Sequence, residues 1–240
     1  MHAFGVTHIL WLSGIAATAA VLAELVRRQR VPARLVRGGL VLFLVGGELQ
    51  RYFHDGMKWP DGLPLQICNI TTWLAVFACL TMAPWAAEFV YFSGFSGTAL
   101  ALLSPDMGAQ WPARFFLNHG AIIVTAAVLV FGRMVRVRPG AIWRAYAILV
   151  GYGAFVGAFN WATQTNYAYL CRKPGSATLM NLMGPWPVYL FSIALLALFL
   201  FWMLSLVAPG RSAPSKERLS ANVTPAGGQE IFGEPGSSLS

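Results

Sequence analysis

This 240-residue chain has a candidate nucleophile, Cys68, and a candidate base, His119, in apolar segments. Cys68 stands in the segment LPLQICN, and His119 stands in RFFLNHG. A thiol attacks an ester carbonyl once a neighbouring imidazole has taken its proton, and the product is a covalent acyl intermediate. Both residues are expected about one turn inside a membrane helix, where ionisable groups are rare and by default functional. The pair therefore indicates acyl transfer at a membrane surface.

Each of the two residues also has a structural interpretation, and both interpretations stay open at this point. Cys68 can be a small buried hydrophobic side chain, or it can form a disulfide with Cys171 where that face meets an oxidising compartment. His119 can be a packing residue whose ring nitrogens are satisfied by hydrogen bonds.

The composition identifies the elements that must position these side chains. Hydrophobic residues make up 57% of the chain and charged residues 11%, and the mean hydropathy is +0.59. A soluble domain of this composition would lack the polar surface to cover its core. The apolar runs lack the two-residue alternation of a membrane barrel. The fold class is therefore an all-α integral membrane protein.

Seven apolar stretches approach the roughly 20 residues that a helix needs to cross the hydrocarbon core. They are residues 7–26, 35–53, 65–82, 85–104, 115–135, 143–163 and 188–207. We expect a seven-helix transmembrane domain over residues 1–208. From Pro209 the chain is rich in Ser, Pro, Gly, Ala and charged residues. Such a composition buries too little apolar surface to offset the entropy of ordering, so residues 209–240 are predicted to be a disordered cytoplasmic tail.

Basic residues predict the orientation, because short loops rich in Lys and Arg stay in the cytoplasm. Nine arginines fall around two such loops, and they are Arg27, Arg28, Arg30, Arg34, Arg37, Arg133, Arg136, Arg138 and Arg144. The N-terminus should then lie outside and the C-terminus in the cytoplasm. We expect a multi-pass protein of the bacterial inner membrane whose basic loops meet anionic lipid headgroups. The loops lack interleaved aromatic platforms, so nucleic-acid binding is not expected.

The polar residues of the predicted helices gather at the opposite, outer end. They include His8, Glu48, Arg51, His54, Gln66, Cys68, Asn69, Thr71, Thr72, Asp106, Arg114, Asn118, His119, Asn160 and Asn166. An unpaired polar group in hydrocarbon is costly, so these side chains should converge on one cavity near the outer leaflet. Glu48 and Arg51 are three residues apart on one helix face, which favours mutual neutralisation.

Five segments carry a resemblance to a known family. They are LPLQICNIT (63–71), ALLSPDM (101–107), RFFLNHG (114–120), TNYAYLCRKPG (165–175) and GPWPVY (184–189). Over residues 5–205 the chain resembles the bacterial YwaF-type integral membrane proteins. These are similar in turn to the transmembrane protein 164 acyltransferase family, which acylates ether phospholipids through a cysteine intermediate. The resemblance implies a seven-helix acyltransferase in which Cys68 accepts the acyl chain and His119 is the base.

The remaining polar residues then receive roles in a transfer between phospholipid and lysophospholipid. Amide donors at Gln66, Asn69 and Asn118 would stabilise the oxyanion of each tetrahedral intermediate. Arg114, Arg172 and Lys173 would hold the lipid phosphate, and Asn160 and Asn166 would complete the substrate site. The sequence shows neither metal-ligand spacing nor a phosphate-binding glycine loop, so no cofactor or metal is expected.

Two alternatives accompany this interpretation. A more remote similarity to membrane hydrolases that cleave lipid esters with a Thr and a His makes Thr71 or Thr72 a second candidate nucleophile. In a non-enzymatic transporter or sensor, Glu48, Asp106 and Asn160 would instead bind a small solute, and Cys68 would be incidental.

Overall fold

The fold is an assembly of helices in a computed structural model that describes residues 5–105, 112–175 and 179–209. These ranges contain no β-strand. The α-helices are α1 (Val6–Arg27), α2 (Ala33–Asp55), α3 (Ile67–Thr81), α4 (Pro84–Ser93), α5 (Ala99–Leu103), α6 (Pro112–Val130), α7 (Ala141–Thr163) and α8 (Val188–Val207). A π-helical segment, Gly94–Thr98, joins α4 to α5, and two short 3-10 turns cover Tyr167–Tyr169 and Leu179–Leu182. Apart from Pro209, the predicted tail lies outside the described residues.

Five helical segments of the described chain are long and apolar enough to cross a membrane. They are Val6–Arg27, Pro84–Leu103, Ala113–Val130, Ala141–Thr163 and Val188–Val207. The predicted second span is a helix of 23 residues with charged side chains near both ends. The third, α3, has 15 residues and is about 22 Å long at 1.5 Å per residue, which is shorter than the hydrocarbon core. Several apolar helices are thus confirmed, and the count of seven spans remains a prediction.

The predicted boundaries of several helices differ from the structure by a few residues, and two of these differences have a clear physical reason. The third stretch was expected to begin at Leu65, but α3 begins at Ile67, because Gln66 has an extended backbone and precedes the first helical turn. The fifth was expected to reach Val135, but α6 ends at Val130, where the chain turns and Arg133 takes a φ of 58°. The last helix has the predicted bounds.

The predicted fourth helix contains a feature that its apolar pattern does not show. Gly94–Thr98 is π-helical, and the sequence of this segment, GFSGT, is rich in small residues. At Gly94 a Cβ atom would lie 3.4 Å from side-chain atoms of Ile122 and Ala126, so α6 approaches the backbone closely here. A π-helical turn shifts the register of a helix and often occurs at functional sites. Its last residue, Thr98, is buried.

The core lies where α4, the π-helical segment and α6 pack together. Phe89, Phe92 and Phe116 are fully buried in this region. Helix α3 packs against α2 and α4, α1 packs along α6, and α7 and α8 pack together beside α4. The contact between α1 and α2 is slight. The burial of aromatic and aliphatic side chains between the helices stabilises the assembly and fixes the position of α3 beside α6.

A buried carboxylate anchors the loop between α6 and α7. Glu88 on α4 is 1% exposed and accepts hydrogen bonds from Arg138 Nε at 2.9 Å and from Arg144 Nη2 at 3.0 Å. It also accepts the backbone N–H of Arg138 at 3.0 Å. Hydrogen bonding to Glu88 raises the pKa of Arg138 above its ordinary value. Pairing with the two arginines therefore explains why a carboxylate is found in the buried part of α4.

Candidate functional site

Cys68 is the second residue of α3 and lies at its expected place in the first helical turn. It is half-buried and packs against an apolar cluster that includes Ala75 of its own helix and Ile122 of α6. Helix α3 contacts the π-helical segment, and the Thr98 side chain lies near the Cys68 sulfur. The π-helical segment therefore places a hydroxyl group in the neighbourhood of the thiol.

All three cysteines have free thiols in the structure. Cys68 is half-buried, Cys79 is buried and Cys171 is exposed. The disulfide alternative between Cys68 and Cys171 is thus not formed, and Cys68 is chemically available as a nucleophile.

A buried carboxylate lies next to the Cys68 position. Glu48 on α2 is 6% exposed and accepts a hydrogen bond of 3.0 Å from Asn69 Nδ2, across the contact between α2 and α3. Its second oxygen pairs with Arg51 Nε at 3.3 Å, as its spacing from Arg51 predicts. Asn69 was expected to donate to an oxyanion, and in the structure this amide donates to Glu48. The carboxylate thus fixes the residue beside the thiol.

His119 on α6 carries its imidazole in a defined orientation. The Nδ1 atom lies 2.9 Å from the Phe115 carbonyl oxygen, and the ring stacks on Phe115 at a centroid distance of 4.1 Å. A carbonyl oxygen only accepts hydrogen bonds, so Nδ1 carries the proton and Nε2 has the free lone pair. Among the described residues Nε2 has no hydrogen-bond partner, and His119 is half-buried. His119 is therefore in the tautomer that accepts a proton at Nε2.

Cys68 and His119 lie on packed helices but make no hydrogen bond to each other in the described part of the chain. Helix α3 packs against α6, and the cluster beside Cys68 includes Ile122, which follows His119 by about one turn. The structure thus brings both residues to the same end of the assembly. Direct proton transfer would require a bridging water, a substrate group or a small movement of the ring.

The Asn118 side chain lies in the contact between α6 and α2. Its Oδ1 lies so close to Gly47 that a Cβ atom there would be 2.5 Å away. Any larger residue at position 47 would require the Asn118 amide to move. Asn118 is therefore held beside the α2 residue that precedes Glu48, and it lies at the same end as Cys68.

Three other amides that were expected at the site bind the backbone of the chain that follows α7 instead. Gln66 Oε1 accepts the N–H of Ala168 at 2.9 Å. Asn160 pairs with both the N–H and the C=O of Tyr167, each at 2.9 Å. Asn166 accepts the N–H groups of Cys171 and Arg172 at 3.0 Å. These bonds tie the chain that follows α7 to the start of α3.

Tyr167 completes this connection. Its hydroxyl group donates to the Pro60 carbonyl oxygen at 2.7 Å and accepts the N–H of Leu63 at 2.8 Å. Burial raises the pKa of this hydroxyl above its ordinary value. The segment that leads into Cys68 is thus positioned by the loop after α7.

The three cations expected to hold a lipid phosphate lie in different settings. Arg114 is half-buried near the start of α6, and Arg172 is exposed. The Nζ atom of Lys173 lies 5.5 Å from the centroid of the Tyr189 ring. Asp106, a ligand in the solute-binding alternative, lies outside the described residues.

The two alternative threonine nucleophiles already donate hydrogen bonds within the protein. The Thr71 hydroxyl bonds to the Ile67 carbonyl oxygen at 2.8 Å, and Thr72 bonds in the same way to Cys68 at 2.9 Å. Thr71 is also 3.2 Å from the Ser93 hydroxyl. These contacts make the threonines less available than the Cys68 thiol.

Sequence reasoning missed Thr98 and Ser93, and it assigned no role to Tyr167. Thr98 and Ser93 lie in an apolar run where a hydroxyl group ordinarily bonds to its own helix, so their proximity to α3 cannot be read from spacing. The small-residue run GFSGT was the available signal, because small residues allow helices to approach closely.

The helices and the polar site at one end of the bundle define a multi-pass membrane protein. A family model described as the TMEM164 family matches residues 3–205, and the chain therefore belongs to the TMEM164 family. This confirms the resemblance to the transmembrane protein 164 family, over nearly the expected residues. No curated protein and no solved structure gives a significant match.

Proposed function

We propose that this protein transfers fatty acyl chains between phospholipids and lysophospholipids through a thioester on Cys68. The observation that carries the proposal is the free Cys68 thiol, which lies beside Thr98 and at the end of the assembly that also holds His119. Membership of the TMEM164 family supports it, because the sequence resemblance to this family implied the same chemistry.

In the first half-reaction, His119 Nε2 takes the Cys68 proton and the sulfur attacks the ester carbonyl of a donor phospholipid. Collapse of the tetrahedral intermediate breaks the ester C–O bond. The leaving lysophospholipid oxygen takes the proton from His119, and the acyl chain remains on sulfur as a thioester.

In the second half-reaction, an acceptor lysophospholipid hydroxyl gives its proton to His119 and attacks the thioester carbonyl. The C–S bond breaks, a new ester forms, and the proton returns to sulfur. Water in place of the acceptor would release a free fatty acid instead.

Each tetrahedral intermediate needs hydrogen-bond donors for its oxyanion. Thr98 supplies a hydroxyl group beside the sulfur, and the Asn118 amide lies at the same end of the bundle. Gln66 and Asn69 are positioning residues in this scheme, because their side chains bind Ala168 and Glu48.

The lipid phosphate would meet the cations around this end, Arg114, Arg172 and Lys173. Asn160 and Asn166 then act indirectly, since they hold the loop that carries Arg172. With the N-terminus outside, as the basic loops indicate, the reaction takes place in the outer leaflet.

The test is intact-mass spectrometry of the purified protein after incubation with phosphatidylcholine in detergent. The wild type should gain the mass of one acyl chain, and hydroxylamine should remove it. Cys68→Ala should show no adduct, and His119→Ala should form it at a much lower rate.

Cys79→Ala and Cys171→Ala are matched controls, because each removes one thiol other than the candidate nucleophile. Both should keep the adduct. An adduct that persists in Cys68→Ala, or that disappears in Cys171→Ala, would overturn the assignment of the nucleophile. Adding lysophospholipid to the acylated protein then separates transfer from hydrolysis, because transfer yields phospholipid and hydrolysis yields free fatty acid.

A further inference from the structure

An apolar groove lies on the side of α6 that faces α1, and Cys68 is not among the residues that line it. It has a volume of about 580 Å³ and is walled by α1, α2 and α6. It exists because α1 packs along α6 and hardly contacts α2. The volume falls within the range of ligand-binding pockets in proteins.

The walls of the groove offer almost no hydrogen-bonding groups. Thr18 and Trp11 are the lining side chains that carry a hydrogen-bonding group, and the Thr18 hydroxyl donates to the Gly14 carbonyl oxygen at 2.8 Å. The groove therefore suits a hydrocarbon chain and does not suit a polar solute.

The two ends of the groove differ. At one end Trp11 and Phe116 stack with their ring centroids 5.6 Å apart. From Trp11 to Leu22 the groove extends about 16 Å along α1, which is about half of a 30 Å hydrocarbon core and so the depth of one leaflet. An acyl chain would thus run from the α1–α2 loop toward the aromatic pair.

Positive charge lies at the other end, in the loop that joins α1 to α2. Arg27 and Arg28 share the carboxylate of Glu24. Arg30 and Arg34 are exposed, and no ion pair involves either of them in the described part of the chain. Both helices that flank the groove end in this loop, so its arginines lie where a lipid headgroup would be when its acyl chain occupies the groove.

We propose that this groove is a binding site for one anionic glycerophospholipid, separate from the Cys68 site. One acyl chain fills the space between α1 and α2, and the phosphate group meets Arg30 and Arg34. The bound lipid supplies the packing that α1 and α2 do not give each other, so it holds α1 in place.

Replacement of either of two glycines by a larger residue would fill the groove without a clash with the rest of the protein. Gly14 and Gly39 line it, and a Cβ atom at either position would have no atom within 4 Å. Gly38 is the matched control, because it also has open space but does not line the groove. Replacement by Leu raises helix propensity equally at both α2 positions.

The experiment is native mass spectrometry of the protein reconstituted in nanodiscs that contain equal amounts of phosphatidylglycerol and phosphatidylcholine. The wild type should retain phosphatidylglycerol in roughly 10- to 30-fold preference, since each arginine near the surface contributes about 1 kcal/mol. Gly39→Leu should lose the retained lipid, whereas Gly38→Leu should keep it. An Arg30→Gln/Arg34→Gln double variant should lose the preference, whereas Arg133→Gln/Arg136→Gln should keep it.

Equal retention of the two lipids by the wild type would overturn the proposal, and so would unchanged retention in Gly39→Leu. A wild-type dimer that Gly39→Leu converts to monomers would assign the groove to a second copy of the chain instead. Cys68→Ala should retain phosphatidylglycerol like the wild type, so failure of the acyl-transfer proposal and failure of this one are distinguishable.

Discussion

Asn69 on α3 donates a hydrogen bond of 3.0 Å to the buried carboxylate of Glu48 on α2. This bond links two helices, and its donor, Asn69, is the residue next to Cys68. Arg51 balances the charge of the same carboxylate at 3.3 Å. The position of the thiol thus depends on a paired charge in another helix.

Removal of that carboxylate should destabilise the protein. Glu48→Ala leaves Arg51 part-buried without its partner and frees the Asn69 amide, so we expect a loss of about 3 kcal/mol in the free energy of unfolding. Thermal unfolding in detergent measures it. Glu24→Ala is the control, because Glu24 also pairs with an arginine three residues later but is much more exposed. Equal effects of the two substitutions would contradict the role given to Glu48.

Replacement of Thr98 by Val should slow acylation of Cys68. The side chain keeps its shape but loses the hydroxyl group beside the sulfur. Because this hydroxyl would donate a hydrogen bond to the charged oxyanion, its loss should reduce the rate by a factor of roughly 10 to 100. The rate of adduct formation in the intact-mass assay measures this loss. Ser96→Ala is the control in the same π-helical segment, because its hydroxyl bonds to Phe92 of its own helix. A Thr98→Val protein that acylates at the wild-type rate would remove Thr98 from the mechanism.

The three thiols should differ in their reactivity toward a water-soluble maleimide. Cys171 is exposed and should react first, Cys68 is half-buried and should react more slowly, and Cys79 is 2% exposed and should react only after unfolding. Peptide mass mapping at successive times checks this order. Phospholipid added beforehand should protect Cys68. A protein that contains a Cys68–Cys171 disulfide would label at neither position until it is reduced.

The sequence predicted the helices well where hydrophobic length alone determines them. The bounds of α8 are correct, and Cys68 does lie in the first turn of α3. The end of α6 was wrong because a turn at Gly132 and Arg133 interrupts an apolar run that continues to Val135. Apolar composition identifies a membrane helix but does not identify a turn within the same run.

The partners of the polar side chains could not be predicted in the same way. Gln66 and Asn160 looked like site residues because both are amides at the predicted outer end, and the structure shows that each binds backbone groups at or next to Tyr167. The π-helical segment that brings Thr98 to Cys68 depends on packing against α6. These contacts join residues far apart in the chain, and one sequence without tertiary structure does not determine them.

Loss of the Glu88 carboxylate should release the loop between α6 and α7. In Glu88→Ala, Arg138 and Arg144 both lose their buried acceptor but remain partly exposed to solvent, so we expect a loss of about 1 to 3 kcal/mol in the free energy of unfolding. Trypsin should then cut after Arg136, in the same loop, faster than in the wild type. Adduct formation on Cys68 by the molecules that remain folded should be unchanged. A Glu88→Ala protein with wild-type stability and the same cleavage rate would show that the anchor is dispensable.

Tyr167→Phe should loosen the segment that leads into α3 and change the response to alkaline pH. The substitution removes the bonds to Pro60 and Leu63, at a cost of about 1 to 2 kcal/mol. Burial raises the pKa of the Tyr167 hydroxyl, so the folded protein keeps this proton at a pH where the unfolded chain has lost it. The contribution of this group is complete at neutral pH and falls as the pH rises above about 10. Unfolding temperatures measured between about pH 7 and pH 11 should therefore decline less in Tyr167→Phe than in the wild type.

Tyr146→Phe is the control, because that hydroxyl bonds to Ala194 on α8. If both variants slow Cys68 acylation equally, Tyr167 does not position the thiol, whereas a slower rate in Tyr167→Phe alone supports the connection between the loop after α7 and the candidate site.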